Sequence, residues 1–114
     1  MHLYYDQSLV DFFHNDEAAV KDFIRANVNS AALSYNNHPF DELGRFRFVV
    51  HTVERVNEKV KMPINRDGNY YRVELNRHYR REITHNYAAL VLFTYENWLY
   101  QSNKTEVQGQ FGLA

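Results

Sequence analysis

The 114-residue sequence predicts an α+β fold, with one long N-terminal helix packed on a four-stranded antiparallel sheet as a single domain spanning residues 1–114. Three observations predict it. Apolar residues recur at helical spacing from Val20 to Tyr35, residues 70–79 alternate about an upstream Asp-Gly turn, and the stretch after Asn86 is apolar at nearly every position.

The helix comes first. In "NDEAAVKDFIRANVNSAALSY" the residues Val20, Phe23, Ile24, Val28, Ala31 and Tyr35 fall at steps of three and four, which makes one apolar stripe. Asn15 is the expected N-cap, and Asp16 and Glu17 sit in the first turn, where carboxylates favour the helix dipole. "NNHP" at Asn36 to Pro39 ends it, because Pro39 disfavours helical geometry in the residue before it. Upstream, "SLVDFF" reads either as a short leading helical turn or as an extended arm.

Strands follow. "RFRFVVHTVERVNEKVKMPI" alternates at Phe46, Phe48, Val50 and Thr52 while also satisfying a helical period, and its β-branched and aromatic content favours a long strand. "NRDGN" is the kind of turn that joins paired strands, since Asp-Gly accepts positive φ. The next strand, "NYYRVELNRHYRR", would turn Tyr71, Val73 and Leu75 inward and Tyr70, Arg72 and Glu74 outward. "NYAALVLFTYENWLY", apolar on both faces through Phe93, suits a central strand, with a helix as the other option. "SNKT" is then a turn, and "EVQGQFGL" a last strand weakened by its two glycines.

Composition narrows the class. No run reaches the roughly 18 apolar residues of a membrane span, and the N-terminus has neither the basic start nor the apolar stretch of a signal peptide. The sequence contains no Cys, which removes disulfides, thiol nucleophiles and Cys-based zinc sites and fits a reducing compartment, so a cytoplasmic location is the expectation. Net charge is −1 but unevenly spread: residues 1–44 set seven acids against Lys21 and Arg25, whereas residues 45–81 carry ten Lys or Arg against four acids. The basic block reads either as a solvated face or as a polyanion site.

In that order of elements the sequence resembles the cystatin family, especially its intracellular plant type. "FIRANVNSAALSYNN" is similar to the family's long helix, "FDELGRFRFVVHTVERV" to its second segment, "GNYYRVEL" to its third strand, and "YAALVLFTYENWLYQSNKTEVQGQF" to the fourth strand, Trp-bearing loop and last strand. The resemblance implies inhibition of papain-like cysteine proteases by a wedge of an N-terminal arm and two hairpin loops. Carried onto this chain, the second loop is Asn97 and Trp98, with Asn97 where the family has Pro. The first loop is Ile64, Asn65, Arg66, Asp67 and Gly68, which keeps the Gly, or alternatively Arg55 to Lys59, which keeps Val56.

The residues also carry readings of their own. Arg72, Arg77, Arg80 and Arg81, interleaved with Tyr70, Tyr71 and Tyr79, are candidate contacts for single-stranded nucleic acid, because cations neutralise phosphates while rings stack bases. The Asn- and Tyr-rich composition also suits a viral or host-directed interaction protein whose partner is not a protease. No HxH, HxxxH or HExxH spacing, no GxSxG and no Gly-rich phosphate loop is present, so no catalytic residue, metal or cofactor is expected. Asp22 or Glu74 with a Tyr or His would be the acid–base pair if a pocket joined them. The expected function is therefore non-catalytic binding of a protein partner.

Overall fold

The computed structural model describes residues 1–37, 47–83, 89–96, 98–102 and 105–108. The helix stop at His38 and Pro39, the strand start at Arg45 and Phe46, Asn97, and the last strand beyond Gln108 lie outside the described residues. Packing divides the chain into two compact units, Met1–Arg55 with Tyr87–Thr94 and Val56–Asn86 with Tyr95–Ala114.

The first unit is built on strand β1 (His2–Tyr5), whose four residues are all buried. Asp6 stops it: the carboxylate accepts the Leu9 amide at 3.2 Å and caps the short helix α1 (Gln7–Phe12). "SLVDFF" is thus a helical turn and not an extended arm. The chain then reverses at His14 and Asn15, both at positive φ (54° and 63°), and the Asn15 amide reaches back to the Val10 carbonyl at 2.9 Å. Helix α2 (Glu17–Asn37) follows as expected, although its cap is Asp16, which accepts the Ala19 amide at 3.1 Å, while Asn15 serves the preceding turn.

Strands β2 (Thr52–Arg55) and β3 (Leu90–Phe93) flank β1 in the order β2-β1-β3, both parallel to it, with His2 opposite Thr52 on one side and Leu90 on the other. The expected four-stranded antiparallel sheet is corrected by this finding. Alternation sets which side chains share a face but says nothing of direction; here α1 and α2 carry the chain back past β1, so the next strand enters at the same end. The predicted long strand is also shorter than expected, since β1 offers only four residues before Asp6 turns into a helix. Leu3, Tyr5, Leu9, Val10, Val20 and Ile24 form the core, with Val28, Val53, Val91 and Phe93 packed against it. Each such side chain is worth about 1.5–3 kcal/mol of transfer from water. The predicted helix stripe is narrower in fact, because Phe23 and Tyr35 are exposed.

The second unit corrects another expectation. Residues 68–82 form helix α3 (Gly68–Glu82), not a strand, and "NRDGN" is a helix start, not a hairpin. Asp67 caps it by accepting the Asn69 and Tyr70 amides at 3.0 and 3.1 Å. Tyr71, Leu75 and Tyr79, four apart, turn inward, and the pairs Asn69–Arg72 and Glu74–Arg77 brace the outer surface at a spacing of three. The unit is completed by β4 (Leu99–Ser102) and β5 (Thr105–Gln108), an antiparallel pair in which Leu99 faces Gln108. This is the one place among the described residues where antiparallel pairing occurs; Asn103 and Lys104 of the expected "SNKT" turn lie outside them.

Candidate functional site

The first expected loop, Ile64 to Gly68, meets the residues that flank the second, Glu96 and Leu99, while Asn97 lies outside the described residues. The Leu99 amide donates to the Arg66 carbonyl at 2.9 Å, Asp67 bridges to Leu99, and the Arg66 guanidinium lies 3.0 Å from Glu96. Ile64 and Asn65 are exposed in a turn, Arg66 takes positive φ (54°), and Gly68 is buried at the first turn of α3. Trp98 is only 5% exposed, and its ring stacks on Tyr71 with centroids 4.8 Å apart and planes 16° from parallel. A Trp so placed closes the inner side of α3 and offers a partner little surface. The Tyr79 hydroxyl accepts the Asn57 amide at 2.8 Å, so the second inward ring of this helix is also occupied with structure.

The outer side of α3 is different. Val73, Asn76, Arg77, Arg80 and Arg81 line an open depression of about 490 Å³. Steps of three and four put them on one face, which strand periodicity had divided between two. Arg77 is bound by Glu74 at 2.6 Å, whereas Arg80 and Arg81 form no ion pair among the described residues. Both occupy the last turn, where cations suit the helix dipole. Val73, 40% exposed, adds an apolar patch at the start of this face. Arg72 is held by the Asn69 side chain at 2.8 Å and does not line the depression.

The remaining sequence candidates do not assemble chemistry. Asp22 faces Arg25 in an exposed pair, Glu74 is engaged by Arg77, and His78 Nε2 lies 3.3 Å from Glu82. Among the described residues no cluster of three or more His, Asp or Glu is placed to hold a metal ion. No helix there is long and apolar enough to cross a membrane.

Sequence reasoning missed a polar cluster at the carboxyl ends of β1 and β3. Asp6, 3% exposed, accepts from the Ser8 hydroxyl, which lies 3.2 Å from the Thr94 hydroxyl, and Asp6 Oδ2 has no hydrogen-bond partner. Beside it the Tyr5 hydroxyl donates to Glu17 at 3.0 Å, and Glu17 lies 3.8 Å from Arg55. Burial, with the hydrogen bond and charge of Glu17, pushes the Tyr5 phenol up to about 12. The only sequence signal was an Asp ending a short apolar run, which is an N-cap pattern and implies no ligand.

The fold and these surfaces define a small chain with a parallel α/β unit, a helix-and-hairpin unit and an arginine-faced helix. Comparison with protein-family models, with curated proteins and with solved structures finds no match.

Proposed function

We propose that the chain is a non-catalytic protein-binding module whose contact surface is the outer face of α3, and that its partner presents an acidic segment there. The observation that carries this reading is the set of Arg77, Arg80 and Arg81 on one face beside exposed Val73, with two of the three guanidinium groups unpaired among the described residues. Arginine is favoured at interfaces because its planar fork binds carboxylates in pairs and is weakly hydrated. The chain as a whole is slightly acidic, with a net charge of −1, which favours a localised contact over wrapping of a polyanion.

A second reading has its own observation. Tyr70, 53% exposed, stands three residues before Val73 and seven before Arg77, so a ring suited to base stacking continues the cationic row. The two are separated by anisotropy titrations of a labelled oligoglutamate peptide and a labelled single-stranded oligonucleotide. For protein binding, the peptide is retained and is weakened about tenfold or more by joint Arg80→Glu and Arg81→Glu substitution, as expected when charge pairs become like-charge contacts. Tyr70→Ala leaves the peptide unaffected under this reading. Preferential binding of the oligonucleotide, weakened by Tyr70→Ala and falling steeply with salt, would replace it with the nucleic-acid reading. A parallel titration of papain tests the inhibitor expectation, for which the required Trp anchor is 5% exposed.

A further inference from the structure

The polar cluster of the first unit stands where a sheet of this topology binds ligands. Strands β2, β1 and β3 run parallel, and the chain passes from β1 to β2 on one side while β3 lies on the other side of β1. The strand order therefore reverses between β1 and β3, and in open parallel sheets the crevice outside the carboxyl ends at such a reversal is the usual ligand site. Asp6 and Thr94 are the residues that follow these two strands, and the pairing of Tyr5 with Phe93 brings them to the same end of the sheet. The Ser8 hydroxyl connects them, donating to Asp6 Oδ1 and lying 3.2 Å from the Thr94 hydroxyl.

Only one oxygen of Asp6 is used. Oδ1 accepts the Leu9 amide at 3.2 Å as well as the Ser8 hydroxyl, whereas Oδ2 is buried without a hydrogen-bond partner among the described residues. Asp6 forms no ion pair there either, since Arg55, at the end of β2, lies against Glu17 instead. Capping of α1 accounts for Oδ1 and leaves Oδ2 unexplained. A carboxylate 3% exposed is ordinarily paired with a cation or bound to a metal ion.

We infer that Asp6 Oδ2 binds a hard divalent cation of Mg²⁺ size in the β1/β3 crevice, beside the hydroxyls of Ser8 and Thr94. The donors are all oxygens, which disfavours metals that select imidazole or thiolate. One carboxylate is too few for Ca²⁺, which takes roughly six to eight oxygen ligands, but Mg²⁺ keeps several waters and is held by one or two carboxylates. A site of this kind therefore needs no cluster of three or more acidic or His side chains. The retained waters have hydrogen-bond partners in the half-buried Ser8 and Thr94 hydroxyls, and Ser8, through Oδ1, orients the carboxylate.

The test uses the full chain, treated with a chelator and held at constant ionic strength. Its thermal midpoint, followed by circular dichroism, should rise saturably with MgCl₂, because an ion that binds only the folded chain stabilises it by mass action. Mn²⁺, which accepts the same octahedral oxygen geometry, should first broaden the amide magnetic resonances of Asp6, Ser8 and Thr94. Asp6→Asn keeps the cap, since Asn serves that position as well as Asp, and should weaken Mg²⁺ about tenfold or more. Thr94→Val removes the hydroxyl at nearly constant shape and should weaken the ion severalfold, whereas Asp22→Asn, at an exposed carboxylate, should leave it unchanged. An equal Mg²⁺ shift in Asp6→Asn, or Mn²⁺ broadening centred elsewhere, overturns the inference. So does the absence of both shift and broadening at about 10 mM metal, where a site of millimolar affinity would be mostly filled. Should Asp6→Asn fail to fold, the Mn²⁺ map of the parent decides alone. The site is separate from α3, and either inference can fail without the other.

Discussion

Truncating Trp98 separates the two roles a lone Trp in this position can play. The indole is buried to 5% exposure and stacked at 4.8 Å on Tyr71, itself 3% exposed. Trp98→Ala therefore removes a large apolar group and leaves a cavity, at a cost of about 3–5 kcal/mol. The stack contributes part of this, about 0.5–1.5 kcal/mol beyond burial, so Tyr71→Ala and the double variant should be non-additive by that amount. At a urea slope of about 2 kcal/mol per molar, the midpoint falls by roughly 2 M. Circular dichroism follows the unfolding, because the variant loses the only Trp in the chain. In the parent protein that same Trp provides a control: its emission should resist acrylamide until the protein unfolds. A loss below about 0.5 kcal/mol, the range of ordinary surface substitutions, would refute the buried placement and restore Trp98 as a partner anchor.

Two further outcomes follow from local geometry. Asp67→Ala should destabilise the chain by about 1 kcal/mol, with Asp67→Asn close to the parent, because the side chain caps α3 through the Asn69 and Tyr70 amides; equal urea midpoints for the Ala variant and the parent would remove the cap. Tyr5 sets an alkaline limit: its phenol, pushed up to about 12 from 10, holds a proton that the unfolded chain releases. The stabilisation is complete below pH 10 and is lost as pH rises towards 12. Urea midpoints measured from pH 8 upward should therefore fall more steeply in the parent than in Tyr5→Phe, and parallel curves would contradict the assignment.

Parts of the fold were legible because their signals are local. The start of α2 stands in its Asp and Glu, and its core face in Val20, Ile24 and Val28, since capping and helical spacing act within a few residues. The strand at Leu90–Phe93 was legible as an apolar run, although it lies beside β1 and pairs only with it among the described residues. In α3 the local signals conflicted: Tyr71, Leu75 and Tyr79 are four apart, and a spacing of four satisfies both a helix face and a strand face. The Asp67 cap and the Glu74–Arg77 spacing were the signals that separated them. Among the binding candidates, Arg77, Arg80 and Arg81 were identified from composition, but their common face depended on the helix.

The amino-acid sequence by itself determined the absence of thiol chemistry, the helix over residues 17–37, the arginine-rich block and the apolar character of β3. Tertiary structure alone decided that the short segment His2–Tyr5 is the central strand, that its neighbours run parallel, and that Trp98 faces inward. The reason is physical: propensity and periodicity are set by neighbours along the chain, whereas strand direction and the burial of a ring depend on distant segments. His2 finds Thr52 across fifty residues of sequence, and nothing near either one encodes the other.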